Sequence, residues 1–233
     1  MERNGAHDHG ACAEMRRSGK KTGGDKTVLV ARFFIYALFA TVFGIFEKRS
    51  IMDTNNHTLY LELKDEEWLF EGVEQEREVV RAIVADDAGA LYFVRANRDD
   101  VFGKASFLET SGGGVEAGED LTTAIHRELK EELGATVEIL CKLGVVDDYY
   151  NVIRRHNRNH YYLCKVVSWG RQHLTEDEKH YFRLTIVKTN YTDALRSYEE
   201  GRNTKIGRLI ANREIPVLRE AKRILDLIQE TAD

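Results

Sequence analysis

Short apolar runs separated by turns dominate the chain from residue 78 onward. The run EVVRAIVA (78–85) is rich in β-branched residues, DDAGA (86–90) carries the Asp and Gly typical of a turn, and LYFV (91–94) resumes an apolar strand. This pattern predicts a β-hairpin. Further strands are predicted at VEILCKL (137–143), HYYLCKVV (160–167) and RLTIV (183–187), with a charged loop at QHLTEDEK (172–179).

A first helix is predicted in the middle of the chain. Either Asp120 or Thr122 can cap its start, and Gly134 is a natural stop just after Leu133. Apolar residues recur along one side of this segment, at Ile125, Leu129 and Leu133. We therefore expect this side to pack against a sheet.

The segment 215–228 is predicted to form a closing helix. Pro216, the only proline of the chain, falls in its predicted first turn, where a missing N–H costs little. The apolar positions with helical spacing are Leu218, Ala221, Leu225 and Ile228. Strands on both sides of one central helix, followed by a closing helix, favour a mixed α/β sandwich.

The first 51 residues differ in pattern from the rest. Residues 1–26 are rich in Gly, His, Lys and Arg without apolar periodicity, which predicts a disordered tail. The segment 28–46 is apolar apart from Arg32 and just long enough to span a membrane. It is compatible with a membrane anchor, with an extension outside the working fold, or with a buried core helix, and we favour the second interpretation. We thus divide the chain into an N-terminal extension, 1–51, and a working domain, 52–233.

Composition narrows the expected partners and compartment. The chain has 233 residues, 42% of them hydrophobic, which is enough for one substantial core. Its formal net charge is -5, and acidic residues outnumber basic ones in residues 52–233, which argues against a nucleic-acid polymer as partner. The three cysteines lie far apart, as is typical of free thiols in a reducing compartment. We expect a cytoplasmic protein, or a membrane-anchored one if 28–46 inserts, and a homodimer stays open.

The stretch SGGGVEAGEDLTTAIHRELKEELGA (111–135) places three glycines before a run of acidic side chains. On the predicted helix Glu128, Glu131 and Glu132 lie at i, i+3 and i+4, so their carboxylates share one face. Arg127 lies one turn before Glu131 and can brace its carboxylate. A solvated acidic helix would explain these carboxylates in isolation, but here they occur together with the arginine and the glycines. Clustered oxygen ligands suit Mg²⁺ or Mn²⁺, ions that polarise phosphoryl groups and activate water.

The spacing within this stretch is more specific than its charge. Gly113 is followed by Glu119, Arg127, Glu128, Leu129, Glu131, Glu132 and Gly134. The pattern resembles the Nudix box of the Nudix (MutT-like) hydrolases at every defining charged and glycine position. Two positions depart from it: Ser111 stands where many members have Pro, and Ala135 is smaller than the usual branched apolar residue. Neither departure removes a metal ligand.

The resemblance implies a fold, a reaction and a set of roles. The fold is an α/β/α sandwich in which the box forms a loop and a helix. The reaction is attack of water on a nucleoside diphosphate linked to another group X, which splits the pyrophosphate. The implied roles are metal ligation by Glu128, Glu131, Glu132 and the carbonyl of Gly112, base catalysis by Glu128, orientation of the carboxylates by Arg127, and support of Arg127 by Glu119.

Candidates for substrate binding lie downstream of the box. Tyr149 and Tyr150 lie where family members often carry specificity residues, and an aromatic ring there could stack on a base. Tyrosines half-buried against the sheet would give the same pattern. Arg154 could contact substrate phosphates or merely solvate a loop. The same two interpretations apply to Arg155 and Arg158, and the acidic residues Glu176, Asp177 and Glu178 could either supply a remote base or form a charged surface loop.

Two functions compete at this point. One is metal-dependent hydrolysis of a small-molecule nucleoside diphosphate derivative. The other is a catalytically silent, Nudix-like nucleotide sensor, tethered to a membrane through 28–46. The intact set of Glu128, Glu131 and Glu132 favours the hydrolase, because a pure binding module has no need of a full ligand set.

Overall fold

A computed structural model describes residues 58–231, and within them the chain forms a mixed β-sheet covered by helices. The hydrogen-bonded order is β1-β6-β7-β2-β3-β4, with β5 beside β2 and β8 beside β3. The pairs β1–β6 and β2–β7 are parallel, and the other pairs are antiparallel. The strands are β1 (Leu59–Leu63), β2 (Gln75–Ala85), β3 (Leu91–Asp100), β4 (Gly103–Glu109), β5 (Ser111–Gly114), β6 (Ala135–Tyr150), β7 (Arg155–Trp169) and β8 (Thr185–Thr189).

The helices lie at three places in the described part of the chain. They are α1 (Leu121–Leu133), α2 (Tyr191–Gly201) and α3 (Lys205–Glu230). A short 3-10 turn, Asn151–Ile153, joins β6 to β7, and a π-helical turn, Asp177–Tyr181, precedes β8.

Each face of the sheet buries its own apolar core. On β2, Val80, Ala82 and Val84 pack with α1, whereas Ile83 and Ala85 belong to the core that includes α2 and α3. The alternation follows from strand geometry, since successive side chains point to opposite faces. The predicted α/β/α sandwich with a mixed sheet is thereby confirmed.

Strand β2 changes its partner along one edge. Residues 79–82 pair with β5, whereas Val84 and Ala85 pair with β3. On its other edge β2 pairs with β7 throughout. Strands β3 and β4 therefore diverge from β5, and a cleft lies between them.

Most predicted elements are found where the pattern places them. The hairpin corresponds to β2 and β3, the first helix to α1, and the remaining predicted strands lie in or overlap β6, β7 and β8. The sequence pattern does not predict β1, β4, β5 or α2. Strand β5 consists of SGGG, which has no intrinsic strand preference and is held in the sheet by its pairing with β2.

The predicted position of Pro216 is wrong. Helix α3 begins at Lys205, where the Thr204 side chain accepts a hydrogen bond from the Gly207 N–H, so Pro216 lies in the helix interior. A proline there costs about 3 kcal/mol. The helix continues through it because buried apolar residues lie on both sides, among them Ile206 and Leu218.

The predictions for the N-terminal extension lie outside the described residues. This applies to the disordered tail, to the apolar segment 28–46 and to the domain boundary at residue 52. Among residues 58–231, no helix is long and apolar enough to cross a membrane.

The different burial of two leucines on α3 allows a test of the core that includes α2 and α3. Leu218 is fully buried and Leu227 is 41% exposed on the same helix. We expect Leu218→Ala to lower the free energy of unfolding by about 2–5 kcal/mol, because it removes buried methyl groups and leaves a cavity. Leu227→Ala, the matched control, should change it by less than about 1 kcal/mol. Urea denaturation measures both, and equal losses would contradict the assignment of this helix face.

Candidate active site

The ends of α1 are defined by side-chain and backbone caps. The Asp120 side chain accepts hydrogen bonds from the Thr122 and Thr123 N–H groups, at 2.9 and 3.0 Å. Gly134 ends the helix in the left-handed conformation, at φ 67°. Both ends agree with the sequence prediction, in which Asp120 was one of two candidate caps.

The apolar side of α1 sets its rotation against the sheet. Ile125, Leu129 and Leu133 are buried in the core that α1 shares with β2. This leaves Glu128 and Glu132 facing the glycines of β5, where both carboxylates are buried. The predicted apolar stripe thus positions the acidic face.

The glycines of β5 make room for this close approach. Gly112 has φ +145°, and a Cβ at this position would lie 2.0 Å from the carbonyl oxygen of Val80. A Cβ on Gly113 would lie 2.5 Å from Oε1 of Glu128. Any larger residue at 112 would displace β5 from β2, and any larger residue at 113 would displace the Glu128 carboxylate.

Glu132 is held by two donors in a buried place. Its Oε2 accepts hydrogen bonds from the Ser111 hydroxyl at 2.6 Å and from the Gly112 N–H at 2.8 Å. Burial nevertheless raises the pKa of Glu132 to about 8, because the surrounding protein solvates a charge poorly. A proline in place of Ser111 could not donate this side-chain hydrogen bond.

Arg127 connects the other acidic residues of the motif. Its Nε and Nη2 donate to the two carboxylate oxygens of Glu119, each at 2.9 Å, and Nη2 also donates to the Gly114 carbonyl at 3.0 Å. Its Nη1 donates to Glu128 at 2.8 Å and to Glu131 at 3.2 Å. These bonds lower the pKa of Glu119 and raise that of Arg127. Burial raises the pKa of Glu128, and Arg127 opposes this effect.

The motif contains the ligand types that a hard divalent cation prefers. Glu128, Glu131 and Glu132 supply carboxylate oxygens from one helix face, and the Glu131 side chain, bonded to Arg127, is 39% exposed. Within residues 58–231, however, no three acidic, His or Cys side chains are gathered around one point as they stand. A cation at this place has to compete with Arg127 for Glu128 and Glu131. The chemistry of these donors, three carboxylates on one helix face, is the type that Mg²⁺ or Mn²⁺ prefers.

The motif opens into a cleft of about 290 Å³ between β5 and the strands β3 and β4. Aromatic side chains on its wall are Phe102, Tyr150 and Phe182. Its arginines are Arg77, Arg81, Arg98, Arg155 and Arg213. A cleft with carboxylates at one end and arginines along the rest suits an anionic ligand that brings or shares a cation.

Glu178, one of the three acidic loop residues Glu176, Asp177 and Glu178, lines the cleft. Its Oε2 accepts a hydrogen bond from the Thr175 N–H at 2.7 Å, and its charge raises the pKa of Glu128 and Glu132. Glu176 points elsewhere and pairs with Lys179 at 3.0 Å. The loop therefore brings one further carboxylate to the motif.

The sequence model of the NUDIX domain matches residues 75–197, more than half of the chain. The chain belongs to the Nudix family. Membership supports hydrolysis of pyrophosphate bonds in small-molecule nucleotide substrates, and Nudix hydrolases generally use divalent metals such as Mg²⁺. A comparison with curated proteins finds no match.

Several solved structures are similar to this Nudix chain. The Escherichia coli ORF135 protein, solved in solution, is 23% identical, with 64% of this chain and 91% of that chain covered and a TM-score of 0.45. The MutT Nudix hydrolase from Burkholderia pseudomallei is 23% identical, with 51% and 86% covered and a TM-score of 0.43. The MutT protein from Methanosarcina mazei Go1 is 15% identical, with 66% and 97% covered and a TM-score of 0.43.

The structure separates the predicted substrate-binding residues of this Nudix chain. Tyr150 lines the cleft, where its hydroxyl accepts a hydrogen bond from Arg213 at 2.8 Å. Tyr149 points to the other face of β6 and stacks on His156, with ring centroids 4.6 Å apart. Arg154 does not line the cleft, and its Nη2 donates to the Glu71 carbonyl at 2.9 Å. The motif residues and Tyr150 are brought together, whereas Tyr149 and Arg154 are not.

A charged cluster at the inner end of the cleft is not predicted from the sequence. Arg213 is 1% exposed, and it donates to Asp148 and to Glu214, each at 2.9 Å. The side chain of Arg81 on β2 is 15% exposed, and its Nη1 lies 3.8 Å from Glu109. One signal was available, because Arg213 and Glu214 interrupt an apolar pattern that continues on both sides of them. Charged residues within the apolar face of a helix mark a buried polar function.

A substitution at Gly113 tests metal binding without replacing any carboxylate. We expect Gly113→Ala to push the Glu128 carboxylate aside, because the three atoms nearest to its Cβ, at 2.5 and 2.6 Å, all belong to that carboxylate. The affinity for Mn²⁺, measured by calorimetry, should fall at least about tenfold. Gly201→Ala, where a Cβ has no neighbour within 4 Å, is the control and should bind Mn²⁺ as wild type does. Unchanged affinity in Gly113→Ala would remove Glu128 from the ligand set.

Proposed function

We propose that this chain is a metal-dependent hydrolase that splits the pyrophosphate bond of a nucleoside diphosphate linked to another group. One observation carries the proposal. The buried carboxylates Glu128 and Glu132, the glycines of strand β5 and a cleft rich in arginines occur at a single place. A pyrophosphate is the ligand that such a combination suits, since it is anionic and binds divalent cations.

We propose that Glu128, Glu131 and Glu132, with the carbonyl of Gly112, hold Mg²⁺ or Mn²⁺. When bound, the ion neutralises charge on the phosphoryl groups and makes the attacking water more acidic. Glu132 is the fixed member of the set, because Ser111 and Gly112 hold it. Glu131 is the most exposed of the three carboxylates.

The remaining motif residues position these carboxylates. Arg127 keeps Glu128 near β5 through its Nη1, and Glu119 holds Arg127 by a bidentate pair. Without Arg127 the acidic side chains would repel each other and turn toward solvent. We propose Arg127 and Glu119 as residues that act through Glu128.

A carboxylate has to accept the proton of the attacking water as its oxygen forms a bond to phosphorus and the bridging P–O bond breaks. Glu128 and Glu178 both line the cleft and are the candidates. Glu178 is the better base, because it has no arginine among its hydrogen-bond partners in the described residues, whereas Glu128 is bonded to Arg127. The π-helical turn, rather than the motif, would then carry the proton transfer.

We propose that the aromatic wall of the cleft receives the base or the group X. Tyr150 and Phe102 contact each other edge to face, with centroids 5.7 Å apart, and form a rigid apolar surface there. Tyr149 and Arg154 remain predictions from the sequence, and we assign them no contact with substrate. We further propose that the protein acts in the cytoplasm and that residues 1–51 are not needed for the reaction.

The alternative is a silent domain that binds a nucleotide as a sensor. One observation favours it: Glu128 and Glu131 are already bonded to Arg127, and in the described part of the chain no three acidic side chains surround one point. A sensor would use Arg127 itself as the permanent cation. Turnover separates the two functions.

One prediction from the proposed function concerns the reaction and its metal. We expect the full chain, with Mg²⁺ or Mn²⁺, to hydrolyse at least one member of a panel of nucleoside triphosphates, oxidised nucleotides, nucleotide sugars, ADP-ribose and dinucleoside polyphosphates. Glu131→Gln and Glu132→Gln should each lower kcat by orders of magnitude and abolish the rise in melting temperature that Mg²⁺ causes. Glu138→Gln, the same change at an exposed position of β6, serves as control. Nucleotide binding without any turnover would favour the sensor.

A second prediction distinguishes the base from the metal ligands. We expect Glu178→Gln to lower kcat about 10²–10⁴-fold, because a general base contributes on that order, while the melting temperature still rises with Mg²⁺. Glu128→Gln should lose both. Glu176→Gln, in the same loop but paired with Lys179 outside the cleft, should leave kcat unchanged. A normal kcat in Glu178→Gln would assign the proton transfer to Glu128.

A further inference from the structure

Two neighbouring hydroxyl groups connect the sheet to helices on both of its faces. The Thr110 hydroxyl donates a hydrogen bond to Oε1 of Glu214, on α3, at 3.2 Å. The Ser111 hydroxyl donates to Oε2 of Glu132, on α1, at 2.6 Å. All four residues are buried. Because successive side chains of an extended chain point to opposite faces, one dipeptide is bonded to a glutamate on each side of the sheet.

Thr110 lies where the chain changes its partner strand. Glu109, the last residue of β4, pairs with Val94 of β3, and Ser111, the first residue of β5, pairs with Ala82 of β2. In the part of the chain that the structure describes, no strand pairing includes Thr110 itself. The start of β5 therefore depends on the side chains that hold this residue.

Charged side chains hold Thr110 from two directions. Nη1 of Arg81 donates to its carbonyl oxygen at 3.3 Å, and its hydroxyl is bonded to Glu214. Oε1 of Glu214 also accepts hydrogen bonds from Nε of Arg213 at 2.9 Å and from the Tyr161 hydroxyl at 3.0 Å. These bonds fix the Glu214 carboxylate between α3, β7 and the junction of β4 with β5.

The buried pair of Arg213 and Glu214 contributes little to stability by itself. The cost of taking two charges out of water offsets much of their attraction, and apolar side chains of similar volume often stabilise a fold equally well. Nη2 of Arg213 and Oε2 of Glu214 are buried without a hydrogen-bond partner among the described residues, which adds to this cost. A role that needs a polar group at this place therefore explains the pair better than packing does.

The hydrogen bond from Thr110 bears on the two donors that hold Glu132. These donors are the Ser111 hydroxyl and the Gly112 N–H, at 2.6 and 2.8 Å from the same carboxylate oxygen. Both follow Thr110 directly in the chain, so a shift of Thr110 moves them together. The Glu132 carboxylate has to move with them or lose a hydrogen bond.

We propose that Glu214, acting through Thr110 and Ser111, is a positioning residue for the metal ligand Glu132. This rests on the proposed function, which assigns Glu132 to the metal. Glu214 lies outside residues 75–197, the part of the chain that matches the NUDIX domain. The C-terminal helix thus fixes the start of the glycine strand from the opposite face of the sheet, and the motif alone does not set the geometry of its own carboxylates.

Substitution of Thr110 breaks this connection without removing a charge. Removal of Glu214 itself would leave Arg213 buried without one of its partners, and such a variant can fail to fold. Thr110→Val removes only the hydroxyl, and Thr110→Ser keeps it. Tyr161→Phe is the matched control, because it also removes one hydroxyl that donates to Oε1 of Glu214 but leaves the bond from Thr110 in place. Both Thr110→Val and Tyr161→Phe should lower the melting temperature, since each loses one buried hydrogen bond.

Metal affinity then separates positioning from stability. We expect Thr110→Val to bind Mn²⁺ about tenfold more weakly than wild type, measured by calorimetry without nucleotide, because an outer-shell partner of a ligand is lost. Thr110→Ser and Tyr161→Phe should bind Mn²⁺ as wild type does. In the turnover assay, Thr110→Val should need about tenfold more Mn²⁺ for half its maximal rate, with kcat at saturating Mn²⁺ close to that of wild type. Equal affinities in Thr110→Val and Tyr161→Phe would overturn the proposal.

Amide hydrogen exchange in the metal-free protein decides the matter separately from the proposed function. A wild type that binds no Mn²⁺ or turns over no substrate would count against that function, whereas the exchange rate of the Gly112 N–H reports its hydrogen bond to Glu132 directly. We expect this amide to exchange faster in Thr110→Val than in wild type, and to keep the wild-type rate in Thr110→Ser and Tyr161→Phe. An unchanged rate in Thr110→Val, or an equal rise in Tyr161→Phe, would show that Glu214 does not position these donors.

Discussion

A strand with three consecutive glycines is the constraint on which the rest of the site depends. Strand β5 lies between the backbone of β2 and the acidic face of α1, and there is no room for a Cβ on either side. The close approach brings the Gly112 N–H within 2.8 Å of Glu132 and lets the Glu128 carboxylate lie where a side chain would otherwise be. Carboxylates buried in this way lose their hydration, so they need hydrogen-bond donors or cations. The glycines thus leave space in which the carboxylates are buried. The neighbouring residues then supply the hydrogen-bond donors and the positive charge that buried carboxylates need.

The two buried carboxylates, Glu128 and Glu132, obtain their hydrogen-bond donors in different ways. Glu132 takes neutral donors, Ser111 and Gly112, and its pKa rises to about 8. Glu128 takes a charged donor, Arg127, which is itself fixed by Glu119. The two buried carboxylates of this helix face therefore differ in their surroundings, because Glu128 is bonded to a cationic side chain and Glu132 is bonded to neutral donors.

The sequence predicts this part of the molecule well because it is local. Caps, apolar stripe and carboxylates of α1 all lie within one continuous segment whose helical period fixes their faces, so Asp120, Gly134 and Glu128 could be placed from spacing alone. Residues of the cleft that come from other elements could not be placed in this way, because their positions depend on how distant strands pair. Tyr149 and Tyr150 look equivalent in sequence, and only the pairing of β6 with β7 sends one to the cleft and the other to His156. Pro216 misleads because tertiary burial overrides its usual preference for the first turn.

Arg213 shows that the cleft extends past the segment that defines the family. The NUDIX match ends at residue 197, whereas Arg213 lies on α3 and contacts Asp148 and Tyr150 in the floor of the cleft. The motif and this part of the cleft floor thus come from separate segments of the chain. A change in α3 can alter the shape of the floor without altering any residue of the motif.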